Sequence, residues 1–146
     1  MKKVLAVLAV GVLGVAVARA EKNADKELKK YTGSWVAVAV EHDGTKAPEE
    51  EVKKVKLTVD GEKYIFHVRD MVIEGTHKLD PTKKPKQIDA VRSKGPDAGK
   101  TLKGIYELDD KTFKVCFGAA GKDRPTEFAT KEGDGRRLLT FERQKP

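Results

Sequence analysis

A chain of 146 residues has room for one domain and too little for two of ordinary size. Its formal charge of +7 comes from 30 basic residues interspersed with 23 acidic ones, and only 6% of its residues are aromatic. Dispersed charge with few aromatics to stack on bases argues against a nucleic-acid partner.

Residues 1–20 read as an export signal. Lys2 and Lys3 form a positive start, Val4 to Val17 an apolar run, and Ala18-Arg19-Ala20 a small-x-small cleavage site. The apolar run is shorter than the roughly 20 residues that a membrane span needs. No cysteine follows it, which argues against a lipid anchor. Cleavage after Ala20 removes Lys2, Lys3 and Arg19, leaving 126 residues with a net charge of +4 and no integral span. The expected setting is the bacterial periplasm or the extracellular space.

Residues 21–31 are a charged tail whose end, Asp25 to Tyr31, suits a short helical turn that points Leu28 and Tyr31 at the domain. The domain proper is expected over residues 32–146. It opens on Gly33-Ser34-Trp35, where the single tryptophan enters a strand over 34–41 directly from a glycine turn. One face of that strand carries Trp35, Ala37 and Ala39, the other Val36, Val38 and Val40. His42-Asp43-Gly44-Thr45 makes a turn, and Pro48-Glu49-Glu50-Glu51 followed by Lys53-Lys54 suits a short helix and its dipole. Strands follow over 55–59 and 63–68, joined by the hairpin signal Asp60-Gly61. Further strands are expected over 72–79, 86–91, 101–108, 111–117 and 137–143, with a short one near Phe128.

About eight short strands with turn signals every 8–12 residues, and no β-α-β alternation, predict an all-β antiparallel meander. A barrel and a sandwich both fit that spacing. Closure is favoured because it removes exposed strand edges, and a barrel of eight strands is filled by side chains or holds one small ligand. Cys116 is the only cysteine, so no intramolecular disulfide can form. Flanked by Val115 and Phe117, it reads as a small buried hydrophobe.

With Gly33-Ser34-Trp35 at the head of the first strand, the meander resembles a lipocalin. In that superfamily the Gly-x-Trp tryptophan closes the barrel floor and a basic residue of the last strand packs across it. Arg143 is the match by position. A closer resemblance, over most of residues 21–146, is to an uncharacterised lipocalin-like domain family of planctomycete bacteria. It rests on Gly33-Ser34-Trp35, Pro48-Glu49-Glu50-Glu51, Gly75-Thr76-His77-Lys78-Leu79-Asp80-Pro81, Gly104-Ile105-Tyr106-Glu107-Leu108 and Arg124-Pro125-Thr126-Glu127-Phe128. His77 departs from it, since an aromatic usually follows Gly-Thr there. The resemblance implies a fold and an exported setting, and no activity.

Motifs for chemistry are sparse. Gly95-Pro96-Asp97-Ala98-Gly99-Lys100-Thr101 is one residue short of a phosphate loop and leads into a strand, where that motif needs a helix start. His42, His67 and His77 are too dispersed for a zinc site, no nucleophile motif occurs, and no cofactor is expected. Small residues on the expected inner face (Ala37, Ala39, Gly75 and Gly104) would leave room for a cavity. The reading is therefore a non-catalytic binder of a small, partly apolar ligand. Tyr64, Phe66, His77, Tyr106 and Arg124 are its candidate ligand residues, and Gly33, Trp35 and Arg143 its structural ones. For the segment Arg124 to Phe128 two roles are open: a cap with Phe128 packed inward and Arg124 on a carboxylate, or a gate with Arg124 receiving an anion at a barrel mouth. The alternative to a ligand binder is an envelope protein-interaction module with a filled barrel, making contact through its outer surface or Lys83-Lys84-Pro85-Lys86.

Overall fold

The computed structural model describes Arg19 and residues 21–145; apart from Arg19, the expected export signal and its cleavage site lie outside the described residues. Residues 21–31 are helical (α1) and lead into β1 (Gly33–His42). A two-residue strand β2 (Thr45–Lys46) and a single helical turn α2 (Glu49–Val52) precede the rest of the sheet. That sheet continues as β3 (Val55–Asp60), β4 (Lys63–Val68), β5 (Met71–Asp80), β6 (Lys86–Lys94), β7 (Thr101–Leu108), β8 (Thr112–Phe117) and β9 (Arg137–Arg143). Each pairs antiparallel with the next, and β9 pairs back onto β1 from Trp35↔Arg143 to His42↔Arg137. The result is a closed eight-stranded meander barrel, with β2 an appendix on the end of β1. The barrel alternative thus holds over the sandwich. Closure leaves the eight barrel strands without a free edge.

Period-two patterning selects which side chains face in. In β3, Val55, Leu57 and Val59 are buried while Lys56, Thr58 and Asp60 are exposed. Register carries that parity around the barrel. Val59 pairs with Tyr64, Tyr64 with Gly75, Gly75 with Arg92, and further on Gly104 with Phe117. Facing side chains then pack ring against ring. Phe113 meets Tyr31 (centroids 4.4 Å apart), Trp35 (5.9 Å), Phe141 (6.0 Å) and Tyr106 (6.1 Å).

Three local readings change. β1 carries a bulge between Ala37 and Ala39, which shifts parity, so Val40 rather than Ala39 packs on the core and Ala39 is exposed. β6 runs on to Lys94, three residues past the apolar pattern. Phe128 lies in no strand; residues 118–136 form one long loop. The small residues do not leave the space expected of them either. A Cβ on Gly75 would stand 2.7 Å from the Tyr64 hydroxyl, and one on Gly104 2.7 Å from the Phe117 ring. Both glycines are filled over by a neighbouring aromatic ring.

Candidate binding site at the open end of the barrel

The meander gives the barrel two unlike ends. At one lie α1 and the connections 61–62, 81–85 and 109–111; at the other lie the segment 43–54 with β2 and α2, the turn 69–70, and the loops 95–100 and 118–136. The first end is sealed. Glu27 of α1 is buried, accepts a hydrogen bond from the Tyr106 hydroxyl at 2.8 Å, and pairs with Lys86 at 3.2 Å. Burial, together with this carboxylate, pushes the Tyr106 hydroxyl above the ordinary tyrosine range. Four residues on, Tyr31 inserts between Phe113 and His77, and its backbone carbonyl accepts the Trp35 indole N–H at 2.9 Å. The whole of residues 21–31 is thus helical, where only the end of that segment is expected to be.

Arg143 finishes the seal. Its guanidinium carbon stands 4.3 Å over the Trp35 ring centroid. It donates to the carbonyls of Thr32 (3.0 Å), Asp110 (2.9 Å) and Lys30. Gly33 has φ +142°, and a Cβ there would lie 2.6 Å from Arg143 Nη1. Glycine is required at that position by both backbone and space.

The opposite end differs in exposure. Val40, Phe66, Val68 and Phe117 face inward by register, yet each is only partly buried. In the sealed half Trp35, Tyr106, Phe113 and Phe141 are at most 1% exposed. Leu108, beside the 109–111 turn, is the one inward-facing apolar strand residue left partly exposed at the sealed end; four such side chains at the opposite end outline a mouth there. α2 covers one side of it, with Val52 buried against the core. Two arginines face in across the remainder: Arg92, next after Ile88 and Ala90 on the inner face of β6, and Arg137, next before Leu139 on β9. Arg92 is 6% exposed, donates to the Pro96 carbonyl at 2.9 Å and lies 3.6 Å from the Asp97 carboxylate. It also bears on the Tyr64 hydroxyl, whose pKa burial raises and Arg92 pulls back.

The five candidate ligand residues are therefore divided. Tyr106 and His77 belong to the sealed half, where the His77 imidazole stacks on Tyr64 with centroids 5.5 Å apart. His77 Nε2 lies 2.9 Å from the Gly61 carbonyl, an acceptor, so this nitrogen carries the hydrogen. Burial lowers the His77 pKa. Tyr64 stands between the halves, touching His77 on one side and Arg92 on the other. Phe66 reaches the mouth while keeping an edge contact to Phe141 at 6.4 Å.

Arg124 is elsewhere. It lies against the outer wall, paired with Asp89 at 2.6 Å and donating to the carbonyls of Ile88 (3.0 Å) and Gly104 (2.8 Å). Phe128 is outside as well, under Lys114 at 5.0 Å. The segment is neither a cap with Phe128 inward nor a gate. It belongs to a loop strapped over an outward apolar patch that includes Ile105 and Cys116, with the Cys116 thiol 3.7 Å from the Ala129 carbonyl. Burial raises that thiol's pKa. Lys86 is likewise tied to Glu27 rather than standing free beside Lys83 and Lys84.

Sequence reasoning passed over Arg92 and Arg137, although a signal existed. Continuing the alternation Ile88, Ala90 by one step points Arg92 inward, and counting back from Phe141 and Leu139 does the same for Arg137. Among the described residues no three His, Cys, Asp or Glu side chains gather as metal ligands, and no helix is long and apolar enough to cross a membrane. No family model, curated protein or solved structure matches the chain.

Proposed function

We propose that this is an exported, lipocalin-like binding protein that takes a small, partly apolar ligand into the open end of its barrel without chemistry. One observation carries the reading: four inward-facing apolar residues, Val40, Phe66, Val68 and Phe117, are only partly buried at the end opposite the seal, whereas the sealed end leaves Leu108 alone so. The export-like residues 1–20 support a periplasmic or extracellular setting. Because the sealed half is packed with aromatic rings, the ligand occupies the mouth rather than the length of the barrel.

Native mass spectrometry of freshly purified protein should show an added mass that is lost on denaturation. In parallel, 4-phenylbutanol should shift the methyl NMR signals of Val40, Val68 and Leu102 and spare those of Val59. A clean mass together with unmoved rim methyls would sink the reading. A second role has its own observation. Lys53, Lys54, Lys56, His67 and Arg69 line a shallow depression on the outer wall with Asp70, a surface suited to an acidic protein partner. Capture of a purified acidic partner that survives Phe66→Ala, and fails when Lys53 and Lys56 become Glu, would favour that role.

A further inference from the structure

The mouth has a charge that the fold does not use. Arg137 has no ion pair or hydrogen bond among the described residues; register puts it on the inner face with Leu139 and Phe141, but at the strand's end, where it is exposed while they are buried. Arg92, on the same inner wall, is almost completely buried, and its nearest carboxylate, Asp97, is also shared with Lys100 at 3.7 Å. Three positive side chains thus bear on one negative one. The two guanidiniums feel each other: burial and then the charge of Arg92 lower the Arg137 pKa, and Asp97 opposes them. Like charges repel, and the buried Arg92 is poorly screened from its exposed neighbour. Nothing among the described residues relieves this as Thr32, Asp110 and Trp35 occupy Arg143 at the other end.

We propose that the mouth receives the oxyanion end of its ligand between Arg137 and Arg92, with the apolar remainder against Phe66 and Phe117. The inference rests on the ligand-binding reading above and adds a chemical class to it. A planar guanidinium offers paired N–H donors that match a carboxylate or a phosphate oxygen pair. An anion placed there would convert the repulsion into two attractions. The Tyr64 hydroxyl, beside Arg92 and over Gly75, adds a neutral donor to the same inner face.

The test titrates the purified protein at low salt with three probes that share an aromatic tail: 4-phenylbutyrate, 3-phenylpropyl phosphate and 4-phenylbutanol. At least one anion should bind about tenfold or more tightly than the alcohol, as charge-assisted hydrogen bonds in a partly dry site allow. The preference should shrink as salt is added. Whichever anion binds better identifies the headgroup. Arg137→Gln should abolish the preference and Arg137→Lys should restore part of it, whereas Lys83→Gln, an equal loss of charge at the sealed end, should leave it intact. Equal binding of all three probes overturns the anion site and leaves the ligand reading standing. A preference that persists in Arg137→Gln overturns it too. Binding of none of the three removes both readings together.

Discussion

Arg143 and Arg137 are the same residue type on the same strand and the same inner face, separated by the length of β9. One ends on the Trp35 ring and three backbone carbonyls; the other has no partner among the described residues. The difference is not one of position in the sequence pattern, which treats them alike. It comes from what the chain brings to each end. At Arg143 it brings α1, a glycine that clears room for the guanidinium, and tight hairpins whose carbonyls need donors. At Arg137 it brings the long loop 118–136, which lies against the outer wall, and no carbonyl or ring reaches the guanidinium among the described residues. A fold uses a charge where it has orphan carbonyls to satisfy, and a charge left unused on an inner face is available for something else.

The largest effect should come from breaking the sealed end at its centre. Trp35 is wholly buried and touches Tyr31, Phe113 and Arg143. Trp35→Ala should cost about 3 to 5 kcal/mol in a urea unfolding curve, and a cost under about 1 kcal/mol would show that the seal does not depend on it. Next is Arg143→Gln, which loses the cation–π contact and charged donors to three carbonyls, at about 2 kcal/mol. The glycine that makes the room should answer in kind: Gly33→Ala pushes the guanidinium aside and imposes strain at φ +142°, so its cost should not add to that of Arg143→Gln.

Much of this was legible in the chain. Strands β4, β7 and β9 are apolar runs bounded by charged or turn residues, and their limits follow from those boundaries directly, although Ile65, Ile105 and Leu138 interrupt the alternation within them. The bulge in β1 was not legible, because Val36 to Val40 are small and apolar throughout and either parity reads the same. Nor was the end of β6, where the apolar signal stops at Val91 while the strand continues with a charged residue facing in, steadied by the carbonyl of Pro96. The order of α1 depends on Glu27 meeting Tyr106, 79 residues away, which no local pattern encodes. Arg124 misled for the same reason: its partners Asp89, Ile88 and Gly104 come from two other strands.

A smaller effect, dependent on pH, should appear through His77. Burial holds its folded pKa below the unfolded value of about 6.5. The unfolded chain then binds more protons between those two values, so stability rises with pH across that window. Read downward, stability should begin to fall as the pH drops through about 6.5, and the loss should level off below the folded pKa. The charged groups that face the ring from packed elements are few. Glu62 favours protonation, and Tyr31 and Tyr64 are neutral there. Comparing urea midpoints of the native protein and His77→Gln from pH 7.5 to 5.5 isolates the contribution, and parallel curves would show that His77 carries none of it.

The smallest effect is the most discriminating. Arg137→Gln should leave stability within about 0.5 kcal/mol of the native protein, because no contact among the described residues is lost and a like-charge repulsion with Arg92 is relieved. The same substitution at the other end of the same strand should cost several times more. Measuring both in one urea series separates the two ends without any ligand. If Arg137→Gln proves as costly as Arg143→Gln, the mouth arginine is part of the scaffold and its charge is already spoken for. If the two costs differ as expected, Arg137 is a charge maintained at a barrel opening for no structural return. Such a residue is free to meet the anionic ligand proposed for that end.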